Sequence, residues 1–147
     1  MAWVSVTRLR IRSIRFLPAF LLCTWRSARQ VRKSAGFQAG SLLNDRHRTF
    51  WTLTLWADGA SMRAFMASGA HRLAMPKLLD WCDEASVVHW EQPEESLPSW
   101  ADATRRMREE GRPSRVRHPS LHHADMTFAE PRLAQGTPIQ KSRQASS

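Results

Sequence analysis

The 147-residue chain contains no tyrosine, only two cysteines and only six glycines. Its longest largely apolar run, Phe16 to Trp25, includes Pro18 and Thr24. Each scarcity excludes something. Cys23 and Cys82 cannot build a disulfide framework, so a reducing compartment, the cytoplasm, is expected. The apolar run is about half of the roughly 20 residues that a bilayer core needs. Basic residues continue through and beyond it, which is unlike a secretory leader. Neither a glycine-rich phosphate loop nor a G-x-S-x-G elbow is present, which removes the two commonest motif routes to nucleotide and acyl chemistry.

What is present points to one folded domain. Hydrophobic residues make up 42% of the chain, too many for wholesale disorder, and seven Trp with six Phe imply a dense core. The net charge of +9 is uneven: residues 1–48 carry +9, residues 49–111 carry −4 and residues 112–147 carry +4. A bias of that size places a basic patch on the surface, whether as a plain solvated helix face or as a partner surface for anions.

Alternation of Val4 and Val6 with Ser5 and Thr7 predicts a strand over Trp3 to Arg10. A helix follows, with Pro18 in its first turn and Gly36 placed to stop it. Phe16, Phe20, Cys23 and Val31 share its inner face, and Arg15, Arg26, Arg29 and Lys33 its outer side. Two strands, Phe37 to Leu43 and Thr49 to Trp56, form a hairpin over residues 44–48, where Asn44 and Asp45 suit turn dihedrals. The second strand is bulky on both faces, so both sides of the sheet must be covered. Asp58 caps a helix that ends at Gly69. A further helical piece from Ala70 to about Asp83 contains Pro76, which should kink or split it. A fourth strand spans Ala85 to Glu91. Ser99 and Asp102 start a helix that ends at Gly111. Apolar density then collapses. Residues 1–111 therefore read as the folded domain and residues 112–147 as a dispensable basic tail without fixed structure.

The order β-α-β-β-α-β plus one helix is the ferredoxin-like α+β arrangement, an antiparallel sheet with helices on one face. Something must cover the other face: a second copy's sheet, a ligand, or nucleic-acid bases stacked on aromatics.

The run Thr49-Phe50-Trp51-Thr52-Leu53-Thr54-Leu55-Trp56, followed by Asp58, Met62-Arg63-Ala64-Phe65 and Ser68-Gly69-Ala70-His71-Arg72, resembles the antibiotic-biosynthesis-monooxygenase-like group. Within that group it is most similar to an uncharacterised bacterial domain family. Trp81, Val88, Trp90 and the helix start at Pro98 extend the likeness over roughly residues 2–111. The Arg15-Phe16 helix and Gly36-Phe37 turn more distantly resemble spheroidene monooxygenases. The resemblance implies a dimeric α/β barrel, two sheets meeting face to face, and relatives that are cofactor-independent oxygenases, haem-degrading oxygenases or haem-binding proteins. The haem-degrading set is missing here: Phe65 stands at the Trp position, Met75 at the His position, and the first strand has no Asn. As cofactor, the alternatives are none or haem.

His71 is the candidate catalytic residue, an imidazole able to ligate iron or take a proton from an acidic C–H or O–H; as a plain structural residue it would bond a backbone carbonyl. Trp56, Phe65, Arg72 and Trp81 are the candidate ligand-binding residues around a pocket for a small apolar ligand; as plain structure they are core, with Arg72 in solvent. His89 reads as a hydrogen-bonded sheet residue. His118, His122, His123 and Asp125 form a metal-ligand-rich stretch without folded support, and no metal site is assigned. The rival functions are a monooxygenase-like protein binding a small apolar ligand, a non-catalytic homodimer of the same fold, and an RNA-binding module. The last is disfavoured because the third strand lacks the glycine-aromatic pattern of RNA-recognition folds. Peripheral membrane contact through the basic helix and tail is a further option.

Overall fold

A computed structural model of the chain describes residues 1–129, 131 and 136–142. The elements are β1 (Ala2–Ile11), a 3-10 turn (Ile14–Phe16), α1 (Leu17–Arg32), β2 (Phe37–Asp45) and β3 (Thr49–Trp56). They continue as α2 (Gly59–Met66), α3 (Gly69–Trp81), β4 (Cys82–Gln92), α4 (Trp100–Glu110), β5 (Arg112–Pro113) and β6 (Thr137–Gln140). The strands form one antiparallel sheet in the order β5-β4-β1-β3-β2-β6. Its inner four, β4-β1-β3-β2, are the ferredoxin-like α+β sheet expected from the pattern.

Local signals place most of these elements. Ser61 N–H donates to Asp58 Oδ1 at 2.7 Å at the start of α2, and Asp102 N–H to Ser99 Oγ at 3.1 Å at the start of α4. Pro18 lies in the first turn of α1. Gly36 has φ +81° after α1, the left-handed conformation that glycine adopts without strain. In the β2–β3 turn the left-handed residues are His47 and Arg48, at φ 57° and 58°, rather than Asn44 and Asp45. Arg48 is held there by its Nε donating to the Ile11 carbonyl at 3.0 Å, while Ile11 N–H donates to the Arg48 carbonyl at 2.9 Å. The long-range bonds outweigh the turn preference. Helix α3 runs continuously through Pro76 instead of splitting, and it stops at Trp81, which puts Cys82 on a strand rather than a helix.

Strand β3 is buried from both sides. Trp51, Leu53 and Leu55 point to one face; Phe50, Thr52, Thr54 and Trp56 point to the other. Both Trp51 and Trp56 are 0% exposed. Helices α1, α2 and α3 cover the second face, where Val31, Phe37, Trp56 and Met62 form one cluster and Ile11, Phe20, Cys82 and Ala85 another. The first face is closed by the chain itself. Ala103 and Met107 of α4 pack on Val4, Val6, Leu53, Leu55 and Val88, and Met126 and Phe128 pack on the same cluster. The open face expected to meet a second copy is thus covered within one chain.

Some of the described residues after Gly111, expected to lack fixed structure, contact the sheet and the α3–β4 junction. Strand β5 pairs with β4 and β6 with β2. Ser114, Arg117 and Ser120 donate backbone N–H bonds to Ala85, Leu79 and Asp83. Ser120 Oγ reaches Glu84 Oε2 at 2.8 Å, inside a network in which Arg8 and Arg10 also meet Glu84. The Arg8 guanidinium lies 4.7 Å from the centre of the Phe128 ring, and Phe128 sits edge-on to Trp51 at 5.5 Å. Sequence composition hides this docking because it uses backbone bonds and one isolated aromatic, neither of which gives a periodic signal.

Phe128→Ala is therefore expected to cost about 1–2 kcal/mol, the half-buried ring's area together with its cation contact. The shift in urea midpoint measures it, and a midpoint equal to the parent's would show that residues 112–129 do not hold the sheet. Limited proteolysis is the matching test of the 1–111 and 112–147 division.

Candidate functional site

On the helical side of the sheet, helices α1 and α3 do not close fully on the strands. They leave a cavity of about 430 Å³, within the usual size range of small-molecule sites. Its floor comes from β1 and β3 (Thr7, Phe50, Thr52, Trp56), and its roof from α1, α2 and α3 (Phe20, Ala28, Phe65, Ala74, Leu78). The wall is mainly apolar, with scattered hydroxyls and one imidazole, His71. Several hydroxyls are already committed: Thr24 Oγ1 donates to the Phe20 carbonyl, and Thr54 Oγ1 accepts from Trp56 Nε1 at 2.9 Å.

His71 closes an aromatic row. Phe37 meets Trp56 at 5.5 Å, Trp56 meets Phe65 at 5.5 Å, and Phe65 meets the imidazole at 4.8 Å. Its Nδ1 lies 3.2 Å from the Met66 carbonyl. A carbonyl only accepts, so Nδ1 carries the proton and Nε2 keeps the lone pair. Burial pushes the His71 pKa below its ordinary 6.5, against the Met66 bond that favours the charged ring. The side chain is thus a neutral imidazole with its basic nitrogen in one defined position, suited to accept a proton or ligate a cation.

The backbone around His71 is set by a residue that sequence reasoning did not single out, Gln30 of α1. Gln30 Oε1 accepts from His71 N–H at 2.9 Å, and its Nε2 donates to the Ser68 carbonyl at 2.7 Å. Ser68, at the N-cap of α3, makes no side-chain cap bond; its hydroxyl donates to the Ala64 carbonyl instead. Gln30 therefore caps α3 from another helix. Gly69 makes this approach possible. It sits at φ +59°, and a Cβ there would meet the Gln30 amide at 2.9 Å. The α2–α3 break was legible as Gly69, but a glutamine on a basic helix carries no sign of which turn it caps.

The structure brings together three of the five residues singled out: His71, Phe65 and Trp56 all line the cavity. Arg72 is exposed and outside the lining. Trp81 packs beside the Ile11–Phe20–Cys82 cluster and is also outside it. Met75, at the position matched to a haem-oxygenase histidine, lines the cavity. The lining does not fit haem well: apart from His71 it offers, among the described residues, one cation, Arg115, for two propionates. His89 departs from the hydrogen-bonded residue expected. It packs 6.2 Å from Trp3, and its Nε2 is buried with no partner among the described residues. Burial, then Arg112 and Arg63, lower its pKa. The tail histidines are used separately: His118 faces Asp80, His122 faces Asp125, and His123 Nε2 donates to the Ser114 carbonyl. Among the described residues no three metal-ligating side chains converge. Stacking of RNA bases on the central strands is not served by this sheet, since Trp51 and Trp56 are fully buried and Phe50 packs on Phe20.

This architecture is that of the antibiotic biosynthesis monooxygenase-like proteins. SnoaB, a cofactor-independent oxygenase from Streptomyces nogalater, superposes with a TM-score of 0.52 at 19% identity, over 67% of this chain and 98% of that one. Rv0793 from Mycobacterium tuberculosis gives 0.59 at 9% identity, over 65% and 99%. A protein described as an antibiotic biosynthesis monooxygenase gives 0.56 at 16% identity, over 64% and 100%. At these identities the likeness is one of fold. Residues 23–114 match a family model described as a domain of unknown function, DUF3291, and the chain belongs to that family. No curated protein matches the chain.

Two outcomes follow from this geometry. Gly69→Ala is expected to destabilise the fold by about 1–2 kcal/mol, from the left-handed backbone and the displaced Gln30. Thermal unfolding reads this, and a neutral effect would show that the cap is not required. The lowered pKa values of His71 and His89 set a pH dependence. Below about 6.5 the unfolded chain binds protons that the folded chain resists. Their stabilisation is complete above that pH and is lost as pH falls through the folded-state values. Urea midpoints should fall between about pH 7.5 and 5.5, and His71→Gln should remove its share of the slope.

Proposed function

We propose that the protein binds a small apolar ligand in the cavity between α1, α3 and the sheet, and that His71 acts on it as a base in monooxygenase-like chemistry. One observation carries the reading: an imidazole with a fixed tautomer stands at the end of an aromatic row on a mainly apolar cavity wall. A low-polarity wall selects an apolar substrate, and a neutral imidazole suits removal of an activated C–H or phenolic proton. Trp56 and Phe65 supply the flat surface against which a ring system would lie. The oxygenase label of a fold relative adds a reaction of matching balance. A methylene anion formed by proton loss to His71 reacts with dioxygen, giving a ketone and water, with the substrate supplying the electrons. Such a reaction needs no cofactor; this is the reading preferred over haem.

A second reading, a non-catalytic homodimer, draws on Leu22 and Trp25, which are exposed on α1 at 46% and 56%. Its expected surface is the sheet face that the helices leave open; that face carries Trp51 and is occupied by α4 and Phe128. Light scattering at micromolar concentration tests the dimer: one chain's 16.9 kDa would remove it, and twice that mass with no ligand binding would favour the second reading.

The binding test uses polycyclic phenols and quinones as probes, titrated by fluorescence quenching. Ala74→Phe, which fills the cavity from α3, should abolish binding. His71→Ala should change stability by about 1 kcal/mol or less and lower binding or turnover at least tenfold. A His71→Ala protein that is destabilised by about 1–3 kcal/mol yet binds like the parent would assign the residue to structure alone.

A further inference from the structure

We infer that the outer face of α1 and α3 docks on an anionic lipid bilayer, and that the cavity takes its ligand from that surface. The second half rests on the cavity binding an apolar ligand; the docking itself does not. Leu22, Trp25 and Arg29 are spaced i, i+3 and i+7, so they share one side of α1. That side faces solvent: Trp25 is 56% exposed. On α3, Leu73 is 71% exposed, the most exposed large hydrophobic side chain of the two helices. Large apolar side chains on two neighbouring helices are unusual for a surface that meets only water.

The charges around these residues choose the occupant. Helix α1 contains Arg26, Arg29 and Arg32, is followed by Lys33, and has no acidic residue. Helix α3 adds Arg72 and Lys77, with Asp80 near its end already facing Arg12. The Arg29 guanidinium lies 5.0 Å from the centre of the Trp25 ring, an amphipathic pairing suited to the headgroup level. A second copy meeting this face about a two-fold axis would bring cations against cations. RNA would match the charge but not Leu22, Leu73 and Met75. An anionic bilayer matches both, with apolar side chains entering the acyl boundary and Arg and Lys at the headgroups.

The same face leads inward. Leu21 and Met75 line the cavity and are also 50% and 42% exposed, so apolar surface continues from the outside of the helices to the cavity wall. A ligand dissolved in lipid would enter beside Leu21 or Met75, the two lining side chains that also face outward.

The test is flotation of the full chain with vesicles of mixed phosphatidylserine and phosphatidylcholine, and with phosphatidylcholine alone. Expected is flotation with the first only, reduced at least about tenfold by raising salt to about 0.5 M. Arg26→Glu with Arg29→Glu, and separately Leu22→Ser with Trp25→Ser, should each weaken it at least about tenfold, with unfolding midpoints near the parent's. Ala74→Phe should leave flotation unchanged while blocking the cavity, so failure of docking and failure of ligand binding are read apart. Absence of flotation, equal flotation with both vesicles, or variants that float like the parent would overturn docking. So would a dimer that the Leu22→Ser, Trp25→Ser variant dissociates, or RNA binding lost in the same variants. Docking without faster transfer of a vesicle-dissolved probe into the parent than into Ala74→Phe would overturn the ligand route alone.

Discussion

A strand that is apolar on both faces sets the terms for this structure. Strand β3 carries Trp51 on one side and Trp56 on the other, each fully buried. Truncating a buried aromatic of this kind costs on the order of 3–5 kcal/mol, a large share of the stability of an average domain. Neither face can therefore be left to water. Helices α1, α2 and α3 cover the Trp56 side, while α4, Met126 and Phe128 cover the Trp51 side. The ferredoxin-like sheet supplies the frame, and the coverings differ in kind: one is a helix and residues that follow Gly111, the other encloses the cavity lined by His71.

That difference has a chemical consequence. On the Trp51 side, Arg8, Arg10 and Glu84 form a charged network joined by Asp83 and Ser120, while Trp51 Nε1 is buried with no partner among the described residues. Removing one member of such a buried set strands the others, so this side is suited to holding shape. On the Trp56 side the one titratable group of the aromatic row, His71, keeps a lone pair on Nε2. Its position depends on Gln30 reaching across from α1 and on Gly69 leaving room for it. The same helix that fixes the imidazole carries the exposed Leu22 and Trp25, so the site and the proposed lipid surface are two faces of one element.

Most of the frame was legible in the residues. Alternation at Val4 and Val6, the caps Asp58 and Ser99, and the glycines at 36, 69 and 111 are local signals, and local signals placed the elements within a few residues. His71, Phe65 and Trp56 were legible as a group only through the family resemblance, which places Phe65 and Trp56 near the helix break that carries His71. Arg72 and Trp81 were not separable from them, since adjacency along a helix says nothing of which side turns inward. The contacts made after Gly111 were not legible for a related reason. Low apolar density records missing periodicity, whereas Ser114, Ser120 and Phe128 dock through single contacts to distant strands. Gln30 was missed because polar side chains that bond backbone across the fold look like any surface amide.

The two short outer strands also limit how copies of the chain can meet. Pro113 lies in β5 and Pro138 in β6, the strands at the two ends of the sheet. Proline has no N–H to offer a further ladder, and each strand is only two to four residues long. Growth of the sheet from one molecule into the next, the usual start of fibrous aggregation, is thereby blunted at both rims. Association is left to the helical surfaces, where it is governed by charge and side-chain shape rather than by a shared backbone ladder.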